Sequence, residues 1–115
     1  TIEERLTTAD SQGIMRYERD NYYTQHDAAS PNPWVICTLW LARYYIEKAE
    51  SIDDLARPLE LLEYVQQSAS QSGTLSEQMQ PHTREHLSAS PLVWSHAEFV
   101  LTVQKYVEKV EGLKL

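Results

Sequence analysis

Residues 33–50 read PWVICTLWLARYYIEKAE, and this stretch decides the fold class because it joins a helix start to a long apolar run. Pro33 suits the first position of a helix and Asn32 is a good capping residue, so we predict a helix over residues 33–50. Apolar residues occupy every face of that helix, which indicates that neighbouring elements enclose it. Its deeper aromatic residues are therefore assigned to the core: Trp40, Tyr44 and Tyr45.

Three more helices are predicted around this one. A short N-terminal helix carries Ile2 and Leu6 and stops before Gly13, which we interpret as its terminator. A helix over residues 52–70 starts after Ser51 and has one apolar stripe and one solvent-exposed face. A helix over residues 90–111 starts with Ser90 and Pro91, and its apolar residues cover most of its circumference. The stripe of the middle helix consists of Leu55, Leu59, Leu62 and Val65.

Two enclosed helices do not fit a free-standing bundle of three, in which each helix keeps a solvent face. We therefore expect further parts of a larger protein to cover them. No strand pattern of convincing length interrupts the series, so the predicted fold class is all-α.

Composition limits the kinds of partner. The chain has 115 residues and a net charge of −7, from 17 acidic and 10 basic residues. No Lys/Arg cluster appears, so a nucleic acid or an anionic membrane would be repelled, and a neutral partner is expected. The single cysteine, Cys37, is expected to be a packed thiol without a disulfide. No secretory signal pattern is visible, which favours a cytoplasmic location.

Two loop segments carry the residues that suit chemistry. The first is GIMRYERDNYYTQHDAASPNPW at residues 13–34. Its residues 13–32 are polar and aromatic and are predicted to form a long ordered loop, in which Asp27 and Ser30 precede the sequence Pro31-Asn32-Pro33. The second, GTLSEQ at residues 73–78, places Glu77 shortly before the helix that carries Trp94. A carboxylate, a guanidinium and aromatic planes suit a sugar, which has many hydroxyl groups and apolar C–H faces.

These two segments, in this order and at this separation, resemble the C-terminal part of the catalytic domain in the glucoamylase-like glycoside hydrolase family 15. The resemblance implies the last helices of an (α/α)6 toroid, with residues 1–115 as a segment of one catalytic domain. It also implies an inverting exo-acting α-glucosidase that hydrolyses terminal glucose from glucans or glucosides and needs no cofactor. The remainder of that domain would then be the partner of this chain.

The resemblance also assigns roles to residues. Glu77 falls on the general base, while the general acid belongs to the part of the family upstream of this chain, so the isolated chain is expected to be inactive. The glucose subsite would be formed by Arg16, Tyr17, Asp20, Trp34 and Trp94. Arg84 and Val93 depart from the family pattern, where glycine and threonine are common. An alternative is a non-catalytic glucan-binding or regulatory domain related to phosphorylase kinase regulatory subunits.

The histidines give weaker signals. His82 and His86 have the spacing HxxxH, but Pro81 and polar neighbours predict a loop there, so no metal site is expected. His96, in the first turns of the last helix, could face the sugar-binding cavity or be hydrogen-bonded in the core, and the second interpretation is favoured. Ser95 beside it lacks the remaining members of a catalytic triad.

Overall fold

The computed structural model describes residues 1–8, 13–24 and 31–114 and confirms a mainly helical protein. Asp27 and Ser30 of the predicted long loop lie outside these residues. In chain order the elements are α1 (Ile2–Leu6), α2 (Val35–Lys48), a 3₁₀ turn at Asp53–Leu55, α3 (Ala56–Gln67), β1 (Gln78–Met79), β2 (His86–Leu87) and α4 (Val93–Lys114). None of the helices in this described part is long and apolar enough to span a membrane.

Helix α2 is the centre of the structure, because both α3 and α4 pack against it. One apolar cluster joins Val35 and Leu39 of α2 to Leu62 and Val65 of α3, and residues of α4 close its edge. A second cluster surrounds Ile46 near the other end of α2. The burial of these aliphatic side chains is the main force that holds the three helices together.

The start of α2 differs from the prediction. The helix begins at Val35 rather than Pro33, and its N-cap is Trp34, which makes no side-chain capping bond. Asn32 does not cap the helix; its amide nitrogen instead donates to Tyr23 O at 3.0 Å and to Gln78 Oε1 at 3.1 Å. The Asn32 amide nitrogen thus bridges two loops, while its Oδ1, the atom that would cap the helix, is buried and has no hydrogen-bond partner among the described residues.

The enclosure predicted for α2 and α4 is only partly present. Trp40 and Tyr44 were assigned to the core, but both are about half exposed. On α4 only Ser95 and Thr102 are buried, while the apolar side chains of Val93, Val100 and Val107 are exposed. The apolar faces exist, but no element among the described residues covers them.

The limits of the other helices also shift. Helix α3 spans Ala56–Gln67 after a 3₁₀ turn instead of residues 52–70, and Leu59 of its predicted stripe is 39% exposed. Helix α4 starts at Val93, after a cis peptide bond between Ser90 and Pro91, and ends at Lys114. Local periodicity locates each helix but does not fix its last turn.

Gly13 is not the terminator of α1, because that helix ends at Leu6 and is capped by Thr7. The close approach of other side chains explains the glycine at this position. A Cβ atom on Gly13 would lie 2.3 Å from Pro33 Cβ and 2.7 Å from Tyr64 Oη. Gly13 thus lets the N-terminal segment lie against the start of α2 and against α3.

A hairpin between α3 and α4 adds the only strands of the described residues, with Gln78 opposite Leu87 and Met79 opposite His86. Arg84 in its loop has φ 60°, a left-handed conformation that favours glycine. Its guanidinium lies 4.9 Å from the ring centre of Tyr64 and donates to Gln67 Oε1 at 3.1 Å. These contacts help to hold a residue that departs from the glycine common in the resembled family.

Candidate functional site

The backbone at Trp34 joins the two loop segments that the sequence singled out. Trp34 N donates to Ile14 O at 2.8 Å, and Trp34 also forms a β-bridge with Gln78. Beside it, Val35 N donates to Glu77 O at 3.1 Å. The segment that carries Arg16 and the segment that carries Glu77 therefore meet at the N-terminus of α2.

Arg16 and Asp20 form a two-point ion pair in the first segment. Arg16 Nε lies 3.0 Å from Asp20 Oδ2, and Nη2 lies 3.1 Å from Oδ1. The Asp20 side chain is 2% exposed and also accepts from Tyr22 N at 3.1 Å. The hydrogen bonds to Asp20 raise the pKa of the Arg16 guanidinium. Such a two-point pair fixes the plane of the guanidinium.

Three aromatic rings surround that guanidinium. Its central carbon lies 4.3 Å from the ring centre of Trp34, 4.9 Å from that of Tyr17 and 5.5 Å from that of Tyr22. Trp34 is only 6% exposed, whereas Tyr17 and Tyr22 are about half exposed. The buried Trp34 ring therefore packs against the Arg16 guanidinium. The exposed parts of Arg16 and Tyr17 form the surface that a ligand can reach.

The Glu77 carboxylate is half-buried and held at one oxygen. Oε1 accepts from Ser88 Oγ at 2.8 Å and from Gln78 Nε2 at 3.3 Å. Ser88, which directly follows β2, has φ 62°, a left-handed conformation, and its hydroxyl contacts Glu77. Within the described residues no hydrogen bond reaches Oε2. A carboxylate anchored by one oxygen can offer the other to water.

The first turn of α4 fixes the loop that carries Glu77. Ser95 Oγ donates to Ser76 O at 2.8 Å, and His96 Nε2 accepts from Leu75 N at 2.9 Å. The hydrogen-bonded role expected for His96 is confirmed. Because Nε2 is an acceptor, the proton of the neutral ring lies on Nδ1.

Three contributors to this arrangement were not identified from the sequence: Asn32, Gln78 and Ser88. Asn32 was interpreted as a helix cap, although its amide ties Tyr23 to Gln78. Gln78 stands next to Glu77 in the sequence, and this adjacency was the available signal. Ser88 lies eleven residues beyond Glu77 and comes close only because the hairpin reverses the chain.

One cavity formed by the described residues has Arg16 in its lining. It measures about 620 Å³ and lies between α1 and α2, with Ile14, Arg16, Cys37, Trp40, Leu41 and Tyr44 among its lining residues. Neither Trp34 nor Trp94 lines this cavity. Trp94 is 51% exposed and contacts Trp40 instead of the Arg16 group.

The surroundings of Cys37 fit a packed thiol, whereas His86 lies in the short strand β2 and not in the predicted loop. Burial raises the pKa of the Cys37 thiol to about 11, as expected for a packed cysteine. In the part of the chain that the structure describes, no group of three His, Cys, Asp or Glu side chains could hold a metal ion. His86 bonds to Ser68 O at 2.7 Å and to Ser90 Oγ at 3.1 Å.

Comparison with known proteins points to one family. The profile of the glycosyl hydrolases family 15 matches residues 59–104, a range that contains Glu77 and Trp94. A protein of Methanocaldococcus jannaschii, named as an uncharacterized glycosyl hydrolase, is 35% identical over 100 residues that cover 79% of this chain. The matched region spans only 15% of that relative's length. No solved structure gives a significant match.

Proposed function

We propose that this chain, which belongs to the glycosyl hydrolase family 15-like proteins, is part of an inverting exo-acting α-glucosidase. The full-length protein would remove terminal glucose from glucans or glucosides. The chain would form the last helices of an (α/α)6 catalytic domain, whose other parts cover the exposed apolar faces of α2 and α4. Two observations support this placement. Apolar side chains of α2 and α4 are exposed, and the matched region spans only 15% of the length of the relative.

The meeting of two loops at the N-terminus of α2 carries the proposal. Trp34 bonds to Ile14 and forms a β-bridge with Gln78, and these backbone contacts join the segments that carry Arg16 and Glu77. Two hydrogen bonds to Asp20 fix the plane of the Arg16 guanidinium, which would donate to vicinal hydroxyls of the terminal glucose. Tyr17 and Trp94 would contact its C–H faces, and Trp34 would support Arg16.

Glu77 would act as the general base. Ser88 and Gln78 hold Oε1, so Oε2 is the oxygen that would take the proton from the attacking water. An inverting hydrolase also needs a carboxylic acid about 6.5–9.5 Å away to protonate the leaving oxygen. The part of the parent protein outside this chain would supply that acid, so the 115 residues alone should not hydrolyse glucosides.

The test compares two glutamate variants of the full-length parent protein. Glu77→Gln should lower kcat by about 10²–10⁴-fold, the contribution typical of a general base, while glucose binding is retained. Glu85→Gln, on the exposed turn of the same hairpin, is the matched control and should keep wild-type turnover. Proton NMR of the first product formed should show β-glucose from an α-linked substrate.

Two results would count against the proposal. Equal turnover by Glu77→Gln and Glu85→Gln would remove Glu77 from the base role. A parent protein that binds glucan but does not hydrolyse it would favour a binding or regulatory domain.

A further inference from the structure

Leu75, two residues before Glu77, is fixed to the start of α4 through both of its backbone polar groups. Its carbonyl oxygen accepts from Leu92 N at 2.9 Å, and its amide nitrogen donates to His96 Nε2 at 2.9 Å. Leu75 is 4% exposed and belongs to the apolar cluster that joins α2 to α3. The Glu77 loop, residues 73–78, is therefore fastened at this point by one backbone group and by one titratable side chain.

The bond to His96 exists in only one state of the imidazole ring. Leu75 N–H is a donor, so Nε2 must be the unprotonated nitrogen. A protonated imidazole carries hydrogen on both nitrogens and has no acceptor. Uptake of a proton by His96 would therefore set two N–H groups against each other. The amide of the buried Leu75 would then lose its partner, which is costly enough to displace the loop.

His86 of β2 has the opposite arrangement. Its Nε2 lies 2.7 Å from Ser68 O, a backbone carbonyl oxygen that only accepts, so Nε2 carries a proton. Its Nδ1 lies 3.1 Å from Ser90 Oγ, a hydroxyl that can donate or accept. A charged His86 ring can therefore keep both contacts, whereas a charged His96 ring cannot keep its bond.

No charged group compensates for a proton on His96, which is partly buried. Among the described residues, no ion pair and no second hydrogen bond reaches its ring. Each surrounding element carries a titratable or charged group in this part of the fold: Glu63 of α3, Glu77 of the loop, His86 of β2, Arg43 of α2 and Glu98 of α4. Glu98 pairs with Arg43 at 2.8 Å, and Glu77 accepts from Ser88 at 2.8 Å. The charge state of His96 itself thus decides whether the bond to Leu75 is made.

We infer that His96 is a positioning residue for Glu77: its neutral imidazole holds the loop in the geometry in which Glu77 acts, and a proton on the ring releases the loop. This inference rests on the proposed function. Histidines change their charge between about pH 5 and 8, whereas carboxylic acids take up a proton at lower pH. Turnover should therefore fall in the histidine range as the pH decreases, before protonation of the base carboxylate stops it.

The test compares three variants of the full-length parent protein. His96→Phe keeps an aromatic ring but removes the acceptor, so kcat should fall about tenfold with little change in KM, because even a 1 Å displacement of a catalytic group is costly. His96→Gln supplies a side-chain oxygen that accepts at any pH. It should restore most of kcat and move the acid limb of the kcat profile down by about one pH unit or more. His86→Gln, the matched control, should leave that acid limb where it is in the wild type.

Hydrogen exchange of the Leu75 amide gives a readout that does not depend on hydrolysis. Mass spectrometry of the full-length protein near neutral pH should show that this amide exchanges about fivefold faster or more in His96→Phe than in the wild type, because it has lost its acceptor. His96→Gln should bring the rate back towards that of the wild type. If His96→Phe does not fold, the acid limb of His96→Gln decides the question.

The outcomes separate this inference from the proposed function. An acid limb that does not move in His96→Gln, or a wild-type exchange rate of Leu75 in a folded His96→Phe, would overturn the role of His96 even if the parent hydrolyses glucosides through Glu77. Faster exchange in His96→Phe that His96→Gln reverses, in a parent that hydrolyses nothing, would support His96 as the residue that holds the loop and refute the hydrolase.

Discussion

Replacement of Gly13 by alanine should destabilise the protein because the new methyl group has no room. Its carbon would lie 2.3 Å from Pro33 Cβ and 2.7 Å from Tyr64 Oη, whereas carbon atoms in contact prefer about 3.5–4.0 Å. The pyrrolidine ring of Pro33 cannot rotate away, and Tyr64 is buried. The segment before Arg16 must therefore move by more than an ångström from the start of α2.

The magnitude follows from these distances. Overpacking costs about 1–3 kcal/mol, and two severe contacts with residues that cannot move away place this substitution at about 3 kcal/mol. For a domain of this size, each kcal/mol lowers Tm by about 4 °C, so the expected fall is about 12 °C. Thermal unfolding followed by circular dichroism, together with urea titration, measures both quantities.

Gly112→Ala is the matched control, because nothing lies within 4 Å of the methyl group that it adds. Gly112 belongs to α4, where alanine is favoured over glycine by up to about 1 kcal/mol, so Tm should rise slightly. Wild-type stability of Gly13→Ala would refute the reasoning. An equal loss in both variants would also refute it, since the cost would then not come from the contacts at Gly13.

Two further predictions concern titratable groups. Cys37 has a pKa raised to about 11 by burial, so at pH 8.5 native alkylation should be about 100-fold slower than that of the urea-unfolded chain, and equal rates would contradict its burial. Glu3 has a lowered pKa because Tyr45 and then Arg57 bond to its carboxylate, so folding favours the ionised form. The resulting stability is present above about pH 4.5 and is lost as the pH falls through the folded pKa. Glu3→Gln should therefore lower the free energy of unfolding by about 1 kcal/mol at pH 7 but not at pH 2, and a difference that persists at pH 2 would exclude this cause.

Much of the candidate site could be predicted because its residues lie in short segments with a distinct chemical character. Arg16 and Asp20 are four residues apart, and their pairing follows from a local turn. Ser88 could not be predicted, because its bond to Glu77 depends on the register of a hairpin with two-residue strands. Such short strands leave no alternation of apolar and polar residues to detect.

Burial was predicted less well than helix position. Trp40 and Tyr44 are aromatic residues in an apolar helix, yet each remains about half exposed, although Trp40 contacts Trp94 of α4. Periodicity shows which residues are apolar, but it cannot show whether another element covers them. The same limit explains why α4 was expected to be enclosed.

The sequence by itself determined the helical class, the resemblance to the glycosyl hydrolases family 15 and the two segments that carry polar chemistry, because these depend on residue types and spacings within short stretches. Only the tertiary structure decided that Trp34 joins the two segments and packs against Arg16. It also decided that the exposed Trp40 contacts Trp94. These relations join residues tens of positions apart through packing and backbone hydrogen bonds, and no local pattern in the chain encodes such distances.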